Sequence, residues 1–94
     1  MHKATIKEEK GIISAEFSAD GNHIITADTN KMVRIYGWIS DGQLQKKAVI
    51  KHNINNLSAR FTKDCSHVVV RHDNNSITIS RLFWDGTTKN CTEE

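Results

Sequence analysis

The sequence predicts an all-β protein made of two copies of one small antiparallel sheet. A shift of 44 residues aligns residues 3–46 with residues 47–90 without a gap, and thirteen of the 44 aligned positions are identical. Within each copy apolar and polar residues alternate, as in ISAEF at 13–17, and polar turns separate the alternating segments. A period in the forties made of short strands is typical of a β-propeller blade, a unit that cannot bury its apolar faces alone.

The first copy contains four candidate strands. A strand at 13–17 is followed by the turn Asp20-Gly21-Asn22, by a second strand at 23–27 and, after a polar turn at 28–31, by a third strand at 32–36. A longer loop at 37–43 then leads to an outer strand at about 44–50. The second copy repeats the three inner strands 44 residues later.

The inner strands have the pattern of strands that are covered on both faces. Ile24-Ile25 and the run VVV at 68–70 break strict alternation, as the inner strands of stacked blades must. No apolar stripe with a 3.6-residue period competes with this interpretation, and β-branched residues crowd the apolar segments. We therefore expect about eight short strands, essentially no helix, and burial of Phe17 and Phe61 at equivalent positions.

The order of the strands predicts an assembly. The segment KATIK at 3–7 matches KAVIK at 47–51, so an outer strand would precede the first blade, whereas KNCTEE at 89–94 is polar and acidic where the second blade needs its outer strand. Two blades are also fewer than the four to eight that close a ring. We expect residues 1–94 to form one domain in a ring that is completed either by a homo-oligomer, three copies or four, or by missing blades.

Composition narrows the class of protein. Thirteen basic and eleven acidic side chains give a net charge of +2, which is too balanced for a nucleic-acid or membrane-surface protein. No apolar stretch is long enough to span a bilayer, and residues 1–10 lack the apolar segment of an ordinary secretory signal. A cytoplasmic location is expected, with Cys65 and Cys91 as reduced thiols.

One family carries the same pattern. Residues 12–36 contain the pattern I-x-A-x-F-S-x-D-G-x-x-I-x-T, followed by a polar turn and V-x-I-Y, and this pattern resembles the WD-repeat propeller unit. The resemblance is closer at 12–36 than at 56–80, and the dipeptide that names the family is replaced by Tyr36-Gly37 and Ser80-Arg81.

The resemblance implies a hydrogen-bonded set that holds each blade together. In that family the set consists of an aromatic residue, a Ser or Thr, an Asp in the second turn and a His that leads into the blade. The matching positions are Tyr36, Thr26, Asn30 and Glu8 in the first blade, and Ser80, Val70, Asn74 and His52 in the second.

The chemistry-bearing residues favour structural roles. His67 and His72 are five residues apart and would point to opposite faces of an extended strand, so a shared metal ion is not expected. Cys65 next to Asp64 and His67 is interpreted as turn chemistry, because a nucleophile needs an oriented base in a cleft. Neither an enzyme nor a cofactor is predicted.

The predicted function is a non-catalytic protein–protein interaction module of the WD-repeat type. The resemblance implies binding through turns at the rim of the central channel, with Asp28, Asn53, Asn55, Arg71, His72 and Asp73 as candidate contacts. An alternative is a carbohydrate-binding two-blade propeller in which Trp38 and Trp84 stack on sugar rings. A third possibility is a remnant of a larger propeller with little activity of its own.

Overall fold

The computed structural model describes residues 5–8, 11–40, 42–84 and 91–93, and these residues form two antiparallel sheets with no helix among them. The strands are β1 (Ile12–Phe17), β2 (His23–Asp28), β3 (Met32–Ser40), β4 (Gln43–Lys51), β5 (Asn56–Phe61), β6 (His67–His72), β7 (Ile77–Trp84) and β8 (Cys91–Glu93). Sheet 1 has the order β1-β2-β3-β4 and sheet 2 the order β5-β6-β7-β8. The all-β prediction is confirmed. Since the described residues form no helix, none of them supplies a helix that could cross a membrane.

The two sheets share one register. Phe17 pairs with Ile24 in sheet 1, and Phe61 pairs with Val68 in sheet 2, 44 residues later. Even the irregularities repeat, because a bulge interrupts β1 between 12 and 14 and β5 between 56 and 58. A bulge that recurs at the same offset shows that the sequence repeat is also a structural repeat.

The tight turns repeat as well. Gly21 and Cys65 have φ angles of 75° and 60°, and both follow an Asp whose carboxylate accepts a hydrogen bond from the backbone N–H two residues on. Glycine adopts this left-handed conformation without steric cost, whereas Cys65 adopts it at some cost in strain. The turn is therefore fixed mainly by the Asp, which is identical in the two copies.

The core lies between the sheets. One face of sheet 1, the inner face, contributes Ile25, Ala27, Val33, Ile35 and Ile50. Sheet 2 covers it with Ala59, Val68, Val70 and Leu82, all of which are buried. Directly paired residues share a face of an antiparallel sheet, so this interface joins one face of sheet 1 to one face of sheet 2.

The two edges of the chain differ from each other. Residues 5–8 form no strand within one copy, and residues 1–4 lie outside the described residues, so the outer strand expected at 3–7 on another copy stays a prediction. At the other end β8 pairs with Leu82, Phe83 and Trp84, so sheet 2 has a short fourth strand where none was expected. Three residues suffice because ladder pairing uses backbone groups and does not require apolar side chains.

The third strand of each copy is longer than predicted. Trp38 and the backbone of Trp84 lie in β3 and β7 and not in loops. The continued pairing of β3 with β4, through Trp38 and Leu44, extends the ladder beyond the apolar run that marked the strand in the sequence.

Phe17 and Phe61 differ, which corrects the expectation that both are buried. Phe61 is half-buried against the core and its ring lies 6.4 Å from the His23 ring, whereas Phe17 is 63% exposed. The two residues occupy the same place in their sheets. The difference arises because Phe61 faces the other sheet, whereas no sheet within the described residues covers Phe17.

Candidate functional site

A buried polar cluster holds residues 5–8 against sheet 1. The Glu8 carboxylate accepts hydrogen bonds from the Thr26 hydroxyl and the Tyr36 hydroxyl, both at 2.8 Å, and from the Arg34 guanidinium at 3.0 Å. Arg34 also pairs with Asp28. Glu8 thus occupies the position expected for the residue that leads into the first repeat, and Thr26 and Tyr36 are its partners as expected.

The turn residue of this cluster is Asp28, which corrects the assignment of Asn30. The Asp28 carboxylate accepts the backbone N–H groups of Asn30 and Met32 at 2.9 and 3.0 Å and closes the turn between β2 and β3. Asn30 contributes only its backbone N–H to these bonds. The sequence did contain a signal for the pair, because Asp28 and Arg34 are replaced together, by His72 and Thr78, in the second copy.

The cluster shifts the acid–base behaviour of its members. Burial opposes ionisation of Asp28, but the Met32 N–H and the Arg34 guanidinium more than offset it and hold the pKa of Asp28 below its ordinary 3.8. Burial, followed by the hydrogen bond to Glu8, raises the pKa of Tyr36 from 10.0 to about 12. The Arg34 guanidinium thus lies between the carboxyl groups of Glu8 and Asp28.

Sheet 2 has a different cluster at the same place. The rings of His52 and His72 meet edge to face with centroids 5.0 Å apart, and His72 Nε2 shares a hydrogen bond of 2.7 Å with the Thr78 hydroxyl. These three residues stand where sheet 1 has Glu8, Asp28 and Arg34. Val70 and Ser80 replace Thr26 and Tyr36, so sheet 2 keeps the position of the cluster and loses its charges.

The structure divides the six predicted rim residues into two groups. Asp28 and His72 are only 1% and 2% exposed, so they support the turns and offer little surface to a partner. The other four predicted contacts are exposed: Asn53, Asn55, Arg71 and Asp73. Asn55 Nδ2 donates to Asp73 Oδ2 at 3.0 Å, and the Asp73 N–H donates to the Asn55 carbonyl at 3.1 Å.

A small cleft lies where the turns of the two sheets meet. It has a volume of about 220 Å³ and is lined by Ile13, Asp28, Thr29, Asn55 and Asn56. Sequence reasoning missed Asn56, which is buried and donates from Nδ2 to the Met32 carbonyl at 3.3 Å. Its Oδ1 is buried without a hydrogen-bond partner among the described residues. We call this site the rim cleft.

An apolar groove of about 650 Å³ lies on the side of sheet 1 that points away from sheet 2. We call this side of the sheet open face 1. Its lining includes Ile6, Ala15, Phe17, Ile24 and Trp38. Trp38 is half-buried there, and its indole Nε1 donates to the Gly21 carbonyl at 3.2 Å. The side chain of the other predicted aromatic anchor, Trp84, lies outside the described residues.

The Cys65 turn has the geometry of a structural turn. The Asp64 carboxylate accepts hydrogen bonds from the hydroxyls of Ser66 and Thr62 and from the Ser66 N–H, which lowers the pKa of Asp64 to about 2. Burial raises the pKa of the Cys65 thiol. The described residues contain no group of three metal-binding side chains.

Comparison with known proteins adds no further assignment. No protein-family model matches the chain, and no curated protein matches it.

Proposed function

We propose that the chain is a non-catalytic protein–protein interaction module built from two WD-like propeller blades. Three observations support the blade interpretation: the 44-residue repeat, the shared strand order and register of the two sheets, and the cluster of Glu8, Thr26 and Tyr36. The cytoplasmic location expected from the sequence belongs to the same proposal.

The rim cleft is the observation that carries the binding role. It brings together Asn55, which is exposed, and Asn56, whose buried carbonyl oxygen has no partner among the described residues. A buried acceptor without a hydrogen bond costs about 1–3 kcal/mol, so a ligand N–H that reaches it recovers that cost. An extended peptide offers such N–H groups at regular spacing.

The walls of the cleft also suit a peptide. Ile13 supplies apolar contact, and the hydroxyl of Thr29 and the carboxamide of Asn55 supply polar groups at the exposed mouth. A cleft of this size accommodates one or two side chains of a ligand. We therefore expect selective but modest affinity for a short extended segment.

The carbohydrate alternative gains no support from a specific observation. Trp38 lines a groove of mainly apolar residues and directs its Nε1 to a backbone carbonyl. A sugar platform would also need polar groups around the ring to bind hydroxyls. We propose only the protein-binding role.

A peptide library displayed on phage and selected on the purified protein tests this proposal. We expect the selected peptides to bind the unmodified chain with dissociation constants in the micromolar range. They should bind the Asn55→Trp variant at least about tenfold more weakly, because the indole fills the mouth of the cleft. Lys63→Ala, at an exposed turn position, serves as the control and should bind normally. Peptides that bind Asn55→Trp as tightly as the unmodified chain, or a selection that enriches no sequence, would contradict the proposal.

A further inference from the structure

The packing of sheet 1 on sheet 2 is a template for a second interface. The inner face of sheet 1 carries Ile25, Val33 and Ile35, all buried by sheet 2. The residues 44 positions later are Val69, Ile77 and Ile79, and they share the side of sheet 2 that points away from sheet 1, which we call open face 2. Ile77 and Ile79 are 61% and 66% exposed.

Open face 1 repeats the other half of the template. Its residues Ala15, Phe17, Ile24 and Trp38 stand 44 positions before Ala59, Phe61, Val68 and Leu82. Those four residues are the side of sheet 2 that covers sheet 1. The chain therefore carries both surfaces of an interface that it already forms once within itself, and Ala15 and Phe17 are the exposed members of open face 1.

We propose that this protein assembles head to tail with further copies of itself, open face 2 of one copy packing on open face 1 of the next. The two surfaces correspond, at an offset of 44 residues, to the two faces that pack against each other between sheet 1 and sheet 2. Exposed apolar faces of this kind mark association sites in soluble proteins. Two arginines on open face 2 replace small residues of the template, because Arg71 stands 44 positions after Ala27 and Arg81 stands 44 positions after Gly37. Both are exposed, and long side chains of this kind can direct their guanidinium groups to solvent.

The edge of β7 supports the same arrangement. In sheet 1 the outer edge of β3 pairs with β4, with Val33 opposite Ile50 and Ile35 opposite Ala48. In sheet 2 the short β8 pairs only with residues 82–84, which leaves the outer edge of β7 from 77 to 81 without a strand among the described residues. The offset of 44 predicts that Ile6 of another copy pairs opposite Ile77.

Glu8 is already placed for this exchange. His52 follows β4 of sheet 1 and enters the cluster of sheet 2, and its N–H donates to the Lys31 carbonyl at 2.9 Å. Glu8 enters the cluster of sheet 1 in the equivalent way. Residues 5–7 need only extend along the neighbour's β7 to follow the path that residues 49–51 take within one copy.

A repeated head-to-tail contact closes into a ring or continues as a fibre. Propeller rings have four to eight blades, and three copies of two sheets give six. We expect a closed trimer of about 32 kDa, three times the 10.6 kDa of the chain. This inference does not depend on the rim cleft, because the ring forms whether or not a peptide binds.

The solution mass by light scattering tests the assembly. The unmodified chain should give a discrete trimer at micromolar concentration, and Ile79→Asp should give a folded monomer with an unchanged circular dichroism spectrum. Lys63→Asp, which places the same charge in an exposed turn, should remain trimeric. A monomeric unmodified chain, or an oligomer that tolerates Ile79→Asp, would overturn the proposal.

A disulfide tests the register. Ile6→Cys combined with Ile77→Cys, with Cys65→Ser and Cys91→Ser as background, should form links between copies on mild oxidation and give covalent trimers. Ile6→Cys combined with Thr78→Cys is one residue out of register, and its side chains point to opposite faces. Equal cross-linking by the two pairs, or none by the first, would contradict the strand exchange.

Discussion

The polar clusters of the two sheets occupy one position and use different chemistry. In sheet 1 a carboxylate from residue 8, a guanidinium from β3 and a carboxylate that ends β2 form an ion-pair cluster; sheet 2 has two imidazoles and a hydroxyl in their place. The surrounding strands keep the same register. The comparison shows that the repeat determines the positions at which polar groups are buried. It does not determine which side chains form the hydrogen bonds or ion pairs at those positions.

The difference has an energetic consequence. A buried charge that loses its partner is strongly destabilising, whereas loss of a neutral hydrogen bond costs little. Sheet 1 should therefore depend on its cluster more than sheet 2 does. Sheet 2 is stabilised by the apolar contacts of Val68, Val70 and Leu82, and not by a charged cluster.

The largest expected effect is the loss of Glu8. Glu8→Ala removes the acceptor of two hydroxyls and one of the two carboxylates that pair with Arg34, so it should lower the free energy of unfolding by about 3–5 kcal/mol. The equivalent His52→Ala should cost about 1–2 kcal/mol. Urea unfolding of both variants measures the difference. Equal decreases in the free energy of unfolding would show that the charged cluster stabilises the fold no more than the neutral cluster does.

Acid should weaken sheet 1 through Asp28. Because the pKa of Asp28 is held below 3.8 in the folded chain, its stabilising contribution is complete above 3.8 and is lost as pH falls through the lowered value. Unfolding free energies between about pH 6 and about pH 2 should decline less steeply in Asp28→Asn than in the unmodified chain. Identical slopes would contradict the ion-pair geometry.

Substitution of each phenylalanine by alanine compares Phe61, which sheet 1 covers, with Phe17, which lies on open face 1. Phe61→Ala should lower the free energy of unfolding of a monomeric Ile79→Asp background by about 2 kcal/mol, since the ring is half-buried. Phe17→Ala in the same background should cost less than about 1 kcal/mol, because the ring is mostly exposed. Thermal unfolding measures both, and a larger loss at Phe17 would place an unrecognised contact on open face 1.

The loss of a single hydrogen bond at Tyr36 should also have a small effect. Its hydroxyl donates one hydrogen bond to Glu8, so Tyr36→Phe should cost about 0.5–1.5 kcal/mol. Tyr36 is the chain's single tyrosine, and an ultraviolet titration should therefore report its pKa at about 12 without interference from another phenol. Glu8→Gln should bring that pKa back toward 10, and an ordinary pKa in the unmodified chain would contradict the cluster.

The sequence predicted the features that repeat. The strand order, the Asp turns and the place of Glu8 beside Thr26 and Tyr36 all follow from patterns that occur twice or from the family resemblance. Features that depend on partners across the fold could not be read in this way. Phe17 and Phe61 lie in similar local sequences, SAEFSAD and SARFTKD, and the presence of a covering sheet distinguishes their burial.

The remaining errors have a similar cause. β8 forms from a polar segment because pairing uses backbone groups that no side-chain pattern reveals. The cluster contains Asp28 and not the predicted Asn30, because the residue that ends β2 points toward Arg34. A position matched to the family pattern does not show in which direction a side chain points. The rim cleft brings residues of both sheets together, so a reading of one repeat at a time could not find Asn56.

The central claim is that the interface between the sheets is repeated between copies, and an isotope-filtered nuclear Overhauser experiment on mixed labelled and unlabelled chains tests it most directly. The account predicts contacts within one chain between the methyl groups of Val33 and Ile50, and contacts between chains from Ile6 to Ile77 and from Phe17 to Val69. Spectra in which Ile6 contacts only its own chain's Ile24 and Phe17, with no cross-peaks between copies, would contradict it.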